Sequence, residues 1–136
     1  MLQAMNTGHE GSMTTIHANS PRDALKRLEQ MVAMAAMGLP VNSIRSQIAS
    51  AITLIMQLQR LPDGRRRLVS INEISGMDDD VIQMQEIFRF VKERTDGDGN
   101  IIGRFEASGL RPHFLEELVA YGIEVPQSHF APGLKV

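Results

Sequence analysis

The chain has no cysteine, no tryptophan and a single tyrosine among its 136 residues. Zero cysteines exclude disulfides, thiolate metal sites and a thiol nucleophile, and they fit a reducing compartment. No apolar run approaches the roughly 20 residues that span a bilayer, and no signal peptide is read at the start. An excess of one charge is also lacking. A net charge of −2 gives no general electrostatic attraction to nucleic acid or an anionic membrane, so no nucleic-acid partner is expected. The phosphate-cradling pattern Gly-x-x-x-x-Gly-Lys-Ser/Thr is missing too: Gly8 and Gly11 are too close together for it, and no lysine precedes Lys26. Without those amides and that lysine, tight ATP binding by this chain alone is not expected. These absences leave a soluble, cytoplasmic chain of one domain's length, sufficient to bury a core.

What is present is concentrated near the start. Residues 6–19, Asn-Thr-Gly-His-Glu-Gly-Ser-Met-Thr-Thr-Ile-His-Ala-Asn, hold two histidines, a carboxylate and three threonines around a short apolar stretch. Gly8 and Gly11 leave the backbone free for positive φ and close approach to a ligand. Thr14, Thr15, Ile16 and His17 are mostly β-branched and read as a strand ending in polar groups. Residues 1–8 read as the last turns of a helix stopped by Gly8, with no helix start before them, which suggests a longer parent chain.

Ser20-Pro21-Arg22-Asp23 has the makings of a helix start: a capping hydroxyl, a proline at the first position and an acid at the third. Ala24, Leu25, Leu28, Met31, Val32 and Ala35 recur at helical spacing, with Gly38 as the stop. Nine methionines suggest an adaptable core, with Met31, Met34 and Met37 in this one helix. A second helix is expected over 42–51, with Val41, Ile44, Ile48 and Ala51 inward. From Ile52 the period becomes that of strands: 52–61, a Pro62-Asp63-Gly64 turn, 67–74, 81–90, a turn at 96–100 and a fourth strand over 101–106. Pro112 opens a short helix to Tyr121, with Phe114, Leu115, Leu118 and Val119 inward, and 123–136 reads as a loosely held tail. The fold class expected is therefore α/β to α+β, with helices followed by an antiparallel β meander and a short C-terminal helix.

Each motif has a plainer reading beside the functional one. His17 can meet a phosphate through a ring N–H, helped by the hydroxyls of Thr14 and Thr15, or it can be a strand-end histidine bonded to a local carbonyl. His9-Glu10 is not a zincin pair, since Met13 stands where the second histidine is needed and Gly11 interrupts a helix. A metal hydrolase built on His9, Glu10 and His17 would need tertiary coincidence, and no metal site is assigned. Asp96-Gly-Asp-Gly-Asn100 opens like a calcium loop but has Ile101 and Ala107 at the sixth and twelfth positions, so a hairpin turn is expected. Arg65-Arg66-Arg67 reads as a solvated strand end, or as a basic cluster for an acidic neighbour.

Residues 2–25, with 44–52, Arg60, 64–66, 71–76, 87–90, 103–105 and 109–114, strongly resemble the type II/type IV secretion (traffic) ATPase superfamily. The likeness is nearest to the CpaF type that powers tight-adherence (Flp) pili. It implies the C-terminal part of a RecA-like P-loop NTPase motor: a histidine box at 6–19, a helical part at 21–51, a β-rich part at 52–107, and a C-terminal helix and tail at 110–136. In such a motor His17 matches the box histidine that senses the γ-phosphate or positions the attacking water, while His9 and Glu10 match the variable middle of the box. The family's phosphate loop and Walker B glutamate would lie upstream. The resemblance implies ATP and Mg2+ in the full-length protein, a hexameric homo-oligomeric ring, inner-membrane pilus or secretion platform partners, and a cytoplasmic position peripheral to that membrane. On this reading the chain alone is inactive. A self-standing interaction module, docking to such a platform through residues 52–107, is the alternative.

Overall fold

The computed structural model describes residues 11–35 and 38–134. Two helices come first, α1 (Pro21–Ala35) and α2 (Val41–Ala51), then four strands, β1 (Leu54–Arg60), β2 (Arg66–Asp78), β3 (Val81–Thr95) and β4 (Ile101–Ala107), and finally α3 (Phe114–Ala120) and a 3-10 turn (Gln127–Phe130). The strands form one sheet in the order β1-β2-β3-β4, each beside its neighbour in sequence. The architecture is thus helices, an antiparallel four-stranded sheet and a short C-terminal helix, the order of elements expected from the sequence.

The turns follow from local chemistry. Gly64, at φ +79°, lets the chain reverse between β1 and β2, closed by the Leu61 amide on the Arg65 carbonyl at 2.9 Å. At the β3–β4 turn Asp96 Oδ1 accepts the amides of Asp98 (3.0 Å) and Asn100 (2.8 Å), so the acidic run is spent on its own backbone. β3 and β4 pair antiparallel, Phe90 opposite Phe105 and Thr95 opposite Ile101, with an irregularity between Lys92 and Arg94.

The chain divides into two compact units. The first (Met1–Ile55 with Ile74–Met84) has a core of Leu25, Ile44, Ile48, Ile74 and Ile82, flanked by Leu28 and Val32. α1 is fastened within it by Arg22, whose Nη1 donates to the Ile82 carbonyl at 2.6 Å, and by the Arg45–Glu29 ion pair at 3.2 Å. In the second (Met56–Glu73 with Gln85–Val136) Ile87, Leu115 and Phe130 are buried among Phe88, Phe114, Leu118 and Val125.

Several expectations are corrected. Residues 12–18 form no strand: β-branched residues favour an extended chain, but a strand also needs a partner ladder, and none of the four strands supplies one. Met31 and Met34 are exposed, Met34 at 82 %. The inward stripe of α1 runs through Leu25, Leu28 and Val32, and Met34 lies about two and a half turns beyond Leu25, on the far side. Met37 lies outside the described residues. Ala35, Val41 and Val119 are likewise exposed rather than inward. β2 and β3 run on to Asp78 and Thr95, beyond the expected ends, and α3 is shorter than the expected 112–121. Over its described residues, 123–134, the tail is tied down rather than loose. Phe130 is 7 % exposed, and the carbonyl of Leu134 and the amide of Gly133 both bond to Ala107 at the end of β4, at 3.2 Å each.

Candidate functional site

The polar segment 11–20 enters α1 through a well-formed cap. Ser20 Oγ accepts the Asp23 amide at 3.1 Å and donates to the Asp23 carboxylate at 2.8 Å, which satisfies one of the first-turn amides and sets an acid at the positive end of the helix. Ahead of this cap, Gly11 takes φ +83°, as the sequence leads one to expect. His17 is exposed, and its carbonyl accepts a hydrogen bond from Arg27 Nη1 at 3.0 Å. Among the described residues His17, Ala18, Asn19, Asp23 and Arg27 line an open cleft of about 410 Å3. Thr14 and Thr15 are exposed and stand outside that lining. His9 and Glu10 lie outside the described residues. Among those described, no three histidine, aspartate or glutamate side chains gather where they could hold a metal ion.

These groups fit one edge of a phosphate site and not the whole of it. The imidazole of His17 and the amide of Asn19 can each donate to an anion from the cleft wall. The same cleft carries the Asp23 carboxylate, and the described residues offer no run of amides backed by a lysine to close round a triphosphate.

A second polar cluster escapes sequence inspection. Glu73, on β2, is 1 % exposed. Its Oε1 accepts the Phe114 amide at 2.8 Å, and its Oε2 accepts from Gln85 Nε2 at 2.6 Å and from His113 Nδ1 at 3.2 Å. That bond sets the His113 tautomer with its proton on Nδ1. Burial pushes the Glu73 carboxyl up, but the Phe114 and His113 amides and the Gln85 and His113 side chains outweigh it and hold the group below its ordinary value. A carboxylate so enclosed and so fully bonded cannot serve as a base for an outside molecule; it fastens the start of α3 to the sheet. Nothing in the local pattern marks it beyond an acid between isoleucines in a strand, its partners lying far along the chain.

Asp63 fastens the β1–β2 turn in the same way. Its Oδ2 accepts the Ile101 amide at 3.0 Å and Arg67 Nη2 at 3.1 Å. The Ile101 amide does most to hold the carboxyl below its ordinary range. Arg67 also donates to the Ile101 carbonyl at 2.8 Å and lies 5.4 Å over the Phe90 ring. Of the three-arginine run, then, Arg65 and Arg66 are exposed and Arg67 is part of the fold.

Residues 1–96 match the family described as Type II/IV secretion system protein. The chain belongs to this family. A match of that extent is consistent with part of a RecA-like ATPase domain. Among individual proteins, it is 44% identical over 66 residues to the "Conjugal transfer protein TrbB" of Rhizobium radiobacter, a stretch that is 48% of this chain and 19% of that protein. It is 41% identical over 71 residues to the "Putative conjugal transfer protein Rv3659c" of Mycobacterium tuberculosis (strain ATCC 25618 / H37Rv), covering 52% of this chain and 20% of that protein. The matched stretches span about a fifth of the length of these curated relatives. Among the described residues no helix is long and apolar enough to cross a membrane.

Proposed function

We propose that this chain is the C-terminal part of the motor domain of a secretion or transfer ATPase, and that His17 is the group it turns toward nucleotide. The observation that carries this reading is the exposed His17 on an open cleft, immediately before the Ser20-capped helix, inside a stretch matched by the secretion family. An imidazole there is suited to meet a phosphate, because it donates a hydrogen bond in either protonation state. α1, begun four residues later, is the element that would carry the effect of that contact onward.

On this reading the complete protein works as a hexameric ring with ATP and Mg2+, on the cytoplasmic side of an inner membrane that holds its platform partners. Nucleotide is gripped by parts of the complete protein outside this chain, which alone hydrolyses no ATP. The resemblance to the tight-adherence pilus type favours pilus assembly as the work done, while the names of the relatives favour conjugal transfer.

The test is kinetic. In the complete protein His17→Ala should lower ATP turnover by on the order of a hundredfold, the range of a well-placed proton-transfer or electrostatic group, with nucleotide affinity changed far less. Turnover equal to that of the unaltered protein would remove His17 from the mechanism. Hydrolysis by this purified chain alone would overturn its assignment as an inactive part.

A further inference from the structure

We infer that Arg27 is a positioning residue, holding the His17 peptide against α1 and so aiming the His17 ring; this rests on the reading of His17 given above. The segment before α1 has neither helix nor strand over 12–18, so His17 is not held in a sheet or helix of its own. Arg27 sits inside α1, on a platform that is itself held firmly. Leu25 is buried, Arg22 is bonded to the Ile82 carbonyl, and Glu29 is paired with Arg45. From that platform the Arg27 guanidinium reaches back ten residues, and Nη1 donates to the His17 carbonyl at 3.0 Å. Asp23, the acid lining the same cleft, accepts the Ser20 hydroxyl and makes no ion pair with Arg27. A charge-assisted bond to a carbonyl outside any helix or strand helps fix the plane of that peptide, and the ring that leaves the same residue then has a narrower range of directions.

Kinetics separate this role from direct contact with nucleotide, since Arg27 lines the same cleft as His17. A guanidinium that bound phosphate would be lost as affinity, whereas one that aims His17 is lost as turnover, and only while His17 is present. In the complete protein, Arg27→Ala should therefore lower kcat about tenfold with KM nearly unchanged, the scale of one charge-assisted hydrogen bond. Arg27→Lys, whose ammonium can still donate to the carbonyl, should recover most of that loss. In a His17→Ala background, Arg27→Ala should change kcat by less than about twofold, since the group it positions is gone.

A second readout needs no catalysis. In this chain, Arg27→Ala should move the His17 ring and amide resonances in heteronuclear NMR spectra while the amide resonances of the buried Ile44 and Ile48 stay in place. Unmoved His17 signals would overturn the inference, as would kcat losses that multiply in the double variant, or a KM rise with kcat intact. If His17→Ala itself left turnover unchanged, the functional reading would fall and take this inference with it. If His17→Ala slowed turnover and Arg27→Ala did not, the inference alone would fall.

Discussion

Replacing Glu73 tests whether one buried carboxylate fastens the C-terminal helix to the sheet. Glu73→Ala removes the acceptor for the Phe114 amide, for Gln85 and for the His113 ring. Gln85 can turn to His113 Nδ1, already 3.3 Å away, and His113 is largely exposed to water, its side chain at 68 %. The Phe114 amide has no such recourse. One part-buried donor left without a partner, with the void of a fully buried side chain, costs about 3 kcal/mol. Glu73→Gln keeps an oxygen for that amide, and Gln85 can flip its own amide to suit, so about 1 kcal/mol is expected.

The pH dependence separates this account from simple loss of packing. The folded-state value of Glu73 lies below 4.5, so the unfolded chain takes up this proton first as pH falls. The stabilisation is present above about pH 4.5 and is lost as pH falls through the folded value. Urea unfolding followed by far-UV circular dichroism suits a chain without tryptophan, and amide exchange at Phe114 gives the local reading. The gap between the unaltered chain and Glu73→Gln should be widest near neutrality and close in acid. A Glu73→Ala cost equal to that of Glu73→Gln, or a gap that persists in acid, would refute the reasoning.

Phe130→Ala should cost about 3 kcal/mol, because the ring is buried and packs 5.7 Å from Phe88; a loss under about 1 kcal/mol in urea unfolding would return the tail to the loosely held state. Gly103→Ala should cost about 1–3 kcal/mol by overpacking, since a Cβ there would sit 2.4 Å from the Val91 carbonyl oxygen and 2.5 Å from Phe90 Cζ. A thermal melt unchanged by Gly103→Ala would show that the β3–β4 pair yields at that point.

The order of elements was legible because each rests on local chemistry. A cap is spelled by Ser20 to Asp23, a hairpin by Asp63-Gly64, and a change of period by the isoleucines and leucines after Ile52. What local chemistry cannot spell is pairing and burial. β2 and β3 lengthen past their apolar runs because each lies between two neighbouring strands, a fact of topology. Met34 looks like core by composition and is placed outside by its angular position on α1. Phe130 looks like part of a polar tail, and its burial comes from Ile87 and Leu115, both distant in sequence.

The candidate site was legible in the same uneven way. The density of donors at 6–19 singles out a candidate site, because few structural needs call for two histidines, an acid and three threonines beside glycine. The strand expected there did not form, since β-propensity specifies an extended backbone and leaves its partner to the rest of the fold. Arg27 and Glu73 were both missed, for opposite reasons. Arg27 reads as an ordinary charge on an exposed helix face, and only its hydrogen bond to the His17 carbonyl gives it a task. Glu73 reads as a flaw in an alternating strand, yet an acid among isoleucines is costly unless donors meet it, so such a residue predicts distant partners even where it cannot name them. By that logic an acid between Asn72 and Ile74 in a strand calls for donors from elsewhere in the chain, and they stand at His113 and Phe114.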